Sequence, residues 1–271
     1  MEFGRLTVRP TCESRAFLRN LSLTHRPYHI SAMATMDSAS FSAEAAEAAL
    51  PMYKQILRME FIDEMLAGTL DERIMAKYLV QDSIYLKQYS KVLAMVAARA
   101  DDPHIVQTMA LASHTALVVE GSLHSTFLKD FGAEGQAADA EPSPACFAYT
   151  NYLLAQAHSK SLPVAMASIL PCYVIYNDVG RHILAQWKDK GESVRTSHPY
   201  RKWIEMYGGE DFNAATAQAC KICDQLAAAA TEDTRQEMMH AYLQASRLEW
   251  MFWDSAYHDK PWPISFEGYI P

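Results

Sequence analysis

The sequence predicts an all-α chain folded as one bundle of about seven helices. Apolar residues recur at helical spacing over long stretches, and period-2 alternation is almost absent. No Asn-Gly or Asp-Gly hairpin signal occurs, while Ser, Asp and Pro stand where helices would start. The composition agrees: 271 residues, 50% hydrophobic and 21% charged, with only 10 Gly and 12 Pro. That balance supports a packed core and excludes collagen-like, low-complexity or wholly disordered chains.

The first helical pattern runs over 45–66, with Pro51 placed to bend or break it. Asp71 reads as the N-cap of a long helix reaching about Ala100. Asp102–Pro103 opens the next, which runs to about Phe131 and stops at Gly132. The stretch 133–144 is a loop, and 145–159 is helical again. Pro163 lies in the first turn of a helix to about Lys188. Shorter helices fill 198–207 and 210–230, and a last long one covers 232–256. The domain is expected over 40–262, with a Pro-rich tail at 263–271 and an N-terminal extension at 1–39.

Charge is unevenly distributed. The whole chain carries −8, but residues 1–36 carry +3, with Arg5, Arg9, Arg15, Arg19 and Arg26 against only Glu2 and Glu13, leaving −11 for the remainder. An Arg-rich, hydroxylated, acid-poor leader has the composition of a transit peptide, implying mitochondrial or plastid import. The plainer readings are a disordered extension, or Met33 or Met36 as initiator of a cytoplasmic protein. The acidic bundle lacks a basic patch, which argues against a nucleic-acid partner. Its apolar runs are interrupted within a few turns, which argues against a membrane span. Five cysteines at irregular spacing do not make a disulfide framework.

Three segments place polar groups on otherwise apolar faces. In YLVQDSIYLKQY, Tyr78, Asp82, Tyr85 and Tyr89 share a stripe, so Asp82 is either a structural hydrogen-bond acceptor or a site carboxylate. In ASILPCYVIYNDVG, Cys172 follows Pro171, which frees the Ala167 carbonyl; Tyr176 lies one turn on. Cys172 is either inert packing or a nucleophile. In RLEWMFWDSAY, Glu249 is set among Trp250, Phe252 and Trp253. Desolvation there would raise its pKa toward that of a general acid–base. Weaker features are Cys220-x-x-Cys223, which lacks a second ligand pair, and His198 in a helix-initiating turn. A di-iron reading has only one Glu-x-x-His, Glu237 to His240, plus the i,i+4 pairs Glu120/His124 and Asp178/His182, so no metal site is assigned.

Taken in order, YLVQDSIYL, FAYTNYLL, LPCYVIYNDVG, HPYRKWIEMYGGEDF and LEWMFWDSAY resemble the TenA family of thiaminase II, or aminopyrimidine aminohydrolase, proteins. The similarity spans about Ser40 to Trp262. It implies a heme-oxygenase-like all-α fold, a homotetramer and no cofactor. Cys172 matches the branch that carries an active-site cysteine, and the resemblance implies that it is the nucleophile. Asp82 would hold the pyrimidine ring nitrogen and amino group, and Glu249 would move protons to and from the leaving group. Tyr149 and Tyr176 would orient cysteine and substrate, while Tyr85, Tyr200 and Phe252 would line the ring pocket. Ser83 and Ile84 depart from the aromatics that often follow this aspartate, and Asn177–Asp178 replace a commoner pair.

The implied substrate is 4-amino-5-aminomethyl-2-methylpyrimidine, or thiamin, converted in thiamin salvage to 4-amino-5-hydroxymethyl-2-methylpyrimidine. A heme-oxygenase-like di-iron oxidase and a non-catalytic pyrimidine-binding or regulatory bundle are the competing readings.

Overall fold

The computed structural model describes residues 40–133, 140–188 and 190–264; the leader 1–39 and the extreme tail 265–271 lie outside the described residues. Among the described residues there are eleven α-helices, one π-helical segment and no strand. α1 (Phe41–Ile56) starts four residues earlier than the periodicity indicates, because the Ser40 hydroxyl accepts the Ala43 amide. Pro51 is accommodated inside α1, and the break falls instead at 57–59, before α2 (Glu60–Ala67). Gly68, at φ +73°, closes α2 in the left-handed conformation that glycine adopts freely.

Asp71 caps α3 (Glu72–Arg99) by accepting the Arg73 amide, as its position predicted. Asp102 does the same for α4 (Pro103–Thr115), with Pro103 in the first turn. The helix continues through the π segment Ala116–Glu120 into α5 (Gly121–Asp130). Its end is sealed by the Ala133 amide on the Leu128 carbonyl, with Gly132 at φ +65°. Ser143 caps α6 (Pro144–Ser159), and Gln81 of α3 pins that start by accepting the Ser143 amide at 2.7 Å.

α7 (Leu162–Lys188) runs unbroken through Pro171 and is the core helix, packing on α6, α9, α10 and α11. It is the one described helix apolar and long enough to cross a membrane, but 83% of its apolar window is buried by its neighbours, as a bundle core requires. The helix expected over 198–207 starts three residues later, at Arg201, and a short helix not expected from the sequence precedes it. α8 (Glu192–Thr196) precedes a turn in which His198 Nδ1 accepts the Tyr200 amide, and α9 (Arg201–Gly208) follows.

α10 (Glu210–Ala228) and α11 (Glu232–His258) complete the bundle. α11 lies along α7, α6 and α1, so four long helices, α3, α6, α7 and α11, enclose a common interior. At the tail, the Trp262 indole donates to the Pro142 carbonyl and its ring meets Phe147 edge-on.

Candidate active site

The site grows from helix periodicity. Asp82, Tyr85 and Tyr89, three and four residues apart on α3, point inward and are buried. α7 contributes Cys172 and Tyr176, α6 contributes Tyr149, and α11 contributes Glu249 and Phe252. A cavity of about 860 Å³ opens between α3, α4, α7 and α9, with Asp82, Tyr85, Cys172 and Tyr176 on its wall. Behind that wall, Tyr85 packs on Tyr149 and Phe252 with centroids 5.0 and 5.8 Å away. The Tyr149 hydroxyl donates to Glu249 Oε1 at 2.9 Å. Seven of the eight residues singled out in the sequence therefore form one connected constellation.

Tyr200 does not join them. Its hydroxyl donates to the Leu70 carbonyl at 2.6 Å and its ring lies against His198, so it fastens the α8–α9 turn to the start of α3. The aromatic that the same segment sends to the cavity is Tyr207, seven residues on. Tyr207 packs on Tyr176 at 5.1 Å. A glycine crossing puts it there. A Cβ on Gly180 would sit 2.4 Å from the Tyr207 carbonyl carbon, and one on Gly208 would sit 2.6 Å from the Gly180 oxygen. Only backbone on both sides lets α7 and α9 approach so closely.

Two further acids and bases line the interior. Glu120, the last residue of the π segment, faces the cavity and accepts from the Tyr207 hydroxyl at 2.9 Å. His124, one turn later, is buried with Nε2 3.2 Å from Asp82 Oδ2. The sequence showed this pair as i,i+4 neighbours, which suggested a metal. What it could not show is that His124 lies against Asp82 while Glu120 accepts from Tyr207. The π segment marks the place, since such insertions re-aim side chains at functional positions. Ser83, the departure beside Asp82, lies 3.1 Å from His124 Nδ1.

Electrostatics separates the groups. Burial pushes Glu249 up to about 8, against the opposing Tyr149 hydrogen bond and with the Asp82 charge adding to it. Burial also lifts Glu120 to about 7, again with the Asp82 charge adding and the Tyr207 bond opposing. Burial, then the Glu249 charge, holds the Cys172 thiol well above its usual range, while the Tyr85 hydroxyl reaches it and opposes that rise. Cys172 is thus a protonated thiol at rest, beside a carboxyl that is itself raised to about 8 and can take the proton once ionised. Of the cysteines among the described residues, Cys146, Cys220 and Cys223 are buried and Cys172 alone is partly exposed. Burial raises both Cys146 and Cys220 to about 12, and the Cys220/Cys223 pair belongs to the core.

The metal features do not assemble. Glu237 is exposed and ion-paired to Lys160, and His240 is exposed on the same outer face. Asp178 raises Tyr53 and Tyr242, placing it on the α1–α11 side of α7, away from the cavity. Among the described residues no three His, Cys, Asp or Glu side chains are arranged to hold an ion.

The chain is 31% identical over 227 residues to "Aminopyrimidine aminohydrolase" of Bacillus subtilis, covering 83% of this chain and 93% of that protein. It is 35% identical over 203 residues to "Thiamine biosynthesis multifunctional protein ThiED" of Corynebacterium efficiens, covering 74% of this chain but only 26% of that longer protein. A TenA homologue from P. horikoshii superposes with TM-score 0.72 at 20% identity, covering 81% of this chain and 99% of that one. A Shewanella denitrificans domain described as having a heme oxygenase-like fold superposes at TM-score 0.62 with 15% identity, covering 80% of this chain and 91% of that one. The all-α, heme-oxygenase-like architecture is thereby established. The TENA/THI-4/PQQC family model matches residues 46–259, and the chain belongs to that family.

Proposed function

We propose that the cavity is the active site of an aminopyrimidine aminohydrolase of the thiaminase II type. The observation that carries this reading is the convergence of a thiol, Cys172, and a carboxyl, Asp82, on the wall of one aromatic cavity, with the Glu249 carboxyl directly behind the thiol. Flat aromatic walls suit a flat heterocycle. An amine on a methylene is a poor leaving group toward water, so the ring is activated covalently. Cys172 gives its proton to Glu249 as the sulfur bonds to a ring carbon. The displaced C=N electron pair moves onto the ring nitrogen beside Asp82, which takes up a proton.

The ring then returns its electrons as the exocyclic C–N bond breaks. The amine leaves with that bonding pair and the proton held on Glu249. Water adds at the methylene, giving a proton back to Glu249; the ring nitrogen then gives up its proton as the Cys172 sulfur leaves and takes the proton from Glu249, restoring the aromatic ring and the starting protein. Tyr85 and Tyr149 orient the thiol and Glu249, Tyr176 on the cavity wall supports the ring, and Phe252, expected to line the pocket, instead backs Tyr85 from behind the wall. These protein groups suffice for the reaction, so we assign no cofactor.

Thiamin is the second substrate we propose, because about 860 Å³ lies near the upper end of ligand pockets (about 300–1,000 Å³) and leaves room beyond the methylene. Ammonia release from 4-amino-5-aminomethyl-2-methylpyrimidine, with thiamin cleavage run alongside, tests the reading. Wild type should turn over at least one of them and Cys172→Ser neither. Full turnover by the serine variant would remove Cys172 as nucleophile. Binding without turnover by wild type would favour a pyrimidine-binding regulator.

We further propose a homotetramer. Leu111, Leu117 and Val118 are 63%, 50% and 52% exposed on α4 and the π segment, an apolar face suited to a second copy. Light scattering of wild type and Leu117→Glu tests it; an unchanged mass would refute this face as an interface. We place the catalytic domain at 40–262 and read it as cytoplasmic unless residues 1–39 direct import, which a reporter fused to those residues would reveal.

A further inference from the structure

Beside the proposed substrate carboxylate lies a buried pair with a definite proton count. The Ser83 hydroxyl has one proton and donates it to the Leu79 carbonyl at 2.7 Å, the back-bond one turn earlier on α3. Toward His124 Nδ1, 3.1 Å away, Ser83 can then only accept, so Nδ1 carries a hydrogen. The opposite nitrogen, Nε2, lies 3.2 Å from Asp82 Oδ2, within ion-pair distance but without the alignment of a formed N–H···O bond; both side chains are almost wholly buried and neither atom has a hydrogen-bond partner. If His124 were the neutral Nδ1–H tautomer and Asp82 an ionised carboxylate, two lone pairs would face each other in a dry interior. Such an arrangement is costly and a proton between them removes the cost.

We propose that Asp82 and His124 share one proton, and that His124, held in register by Ser83, is a positioning residue acting through Asp82. The pair then has a function in the proposed reaction, and this part rests on that reading. When the sulfur adds and the C=N electron pair moves onto the ring nitrogen, the shared proton crosses to that nitrogen. It leaves Asp82 ionised and His124 as the Nδ1–H tautomer. When the thiolate departs, the proton returns along the same path.

No bulk water is needed for either transfer. The other ionisable groups that sense Asp82 are Glu120 on the π segment, Cys146 on α6, Cys172 and Tyr176 on α7, Tyr207 on α9, Glu249 on α11 and Tyr78 on α3. His124 is the one partner among these able to carry a compensating positive charge. The departure at Ser83 gains a reason here: a hydroxyl at this position sets the histidine tautomer, which an aromatic side chain could not do.

The test is nitrogen-15 NMR of the full chain labelled at histidine, with the His124 signals assigned as those that move in Ser83→Ala. At neutral pH the proposal requires a hydrogen on Nδ1, with Nε2 either protonated or sharing its hydrogen with Asp82. A hydrogen on Nε2 alone, with Nδ1 bare, would overturn it. This readout needs no turnover, so it stands apart from the success or failure of the hydrolase reading. In kinetics, His124→Gln should lower kcat on the order of 10²-fold, the low end for a lost proton-transfer group, while KM changes less than about threefold. An unchanged kcat in a folded variant would equally refute the role.

Discussion

Replacing Glu249 by glutamine removes a charge while keeping size and the Oε1 acceptor for Tyr149. The carboxyl is 1% exposed and its pKa rises from 4.5 to about 8, chiefly by burial. The native state therefore holds this proton to higher pH than the unfolded chain does. Its contribution to stability is complete below pH 4.5 and is lost as pH climbs through about 8. At about 1.4 kcal/mol per pH unit, that interval corresponds to an order of 3–5 kcal/mol, the lower figure allowing for solvent in the adjoining cavity.

The expected result is a Glu249→Gln protein that gains on wild type steadily between pH 5 and 8, with the gap levelling above about 8.5. Glu120 titrates in both proteins and cancels in the difference. Urea unfolding at four pH values and one fixed protein concentration measures it. Parallel stability curves for the two proteins would refute the burial argument. The same variant should lose catalysis, because the group that destabilises the alkaline fold is the one proposed to move protons.

Other perturbations separate the roles of neighbouring residues. Gly180→Ala drives a Cβ into the Tyr207 backbone at 2.4 Å and should destabilise by about 3 kcal/mol or more, read as a fall in Tm. Tyr200→Phe removes one buried hydrogen bond and should cost about 1 kcal/mol of stability with KM unchanged. Tyr207→Phe should instead raise KM, since it strips the donor from Glu120 on the cavity wall; equal KM effects from the two would contradict the corrected assignment. Iodoacetamide should modify Cys172 ahead of Cys146, Cys220 and Cys223, faster as pH rises because the thiol is held protonated, and mass spectrometry of the peptides reads the order.

Much of the fold was legible because helix starts are local. Asp71 and Asp102 each accept an amide two residues downstream, an interaction encoded within one turn of chain; Ser40 and Ser143 cap in the same way, though the periodicity placed those starts at 45 and 145. The errors fell where tertiary context decides. Pro51 looked like a breaker, yet α1 passes through it and breaks later. The Tyr200/Tyr207 choice depended on a helix crossing set by Gly180 and Gly208, 28 positions apart in sequence and touching in space. Periodicity reports which face of a helix is buried; it is silent on which of two inward tyrosines meets the cavity and which meets a backbone carbonyl.

The same limit explains why Glu120 and His124 first resembled a metal pair. An acid and a histidine one turn apart have no intrinsic meaning until their partners are known, and here the partners come from α3 and α9. Once placed, the interior holds three carboxyls in three distinct states of constraint. Glu249 is desolvated and answers to Tyr149 and the thiol. Glu120 is desolvated and answers to Tyr207. Asp82 has an imidazole at its back. Carboxyls of one kind packed this closely would compete for protons without distinction. Separate partners distinguish Glu249 from Glu120, which burial raises to about 8 and about 7, and the proposed reaction uses the first of them as the base toward the thiol.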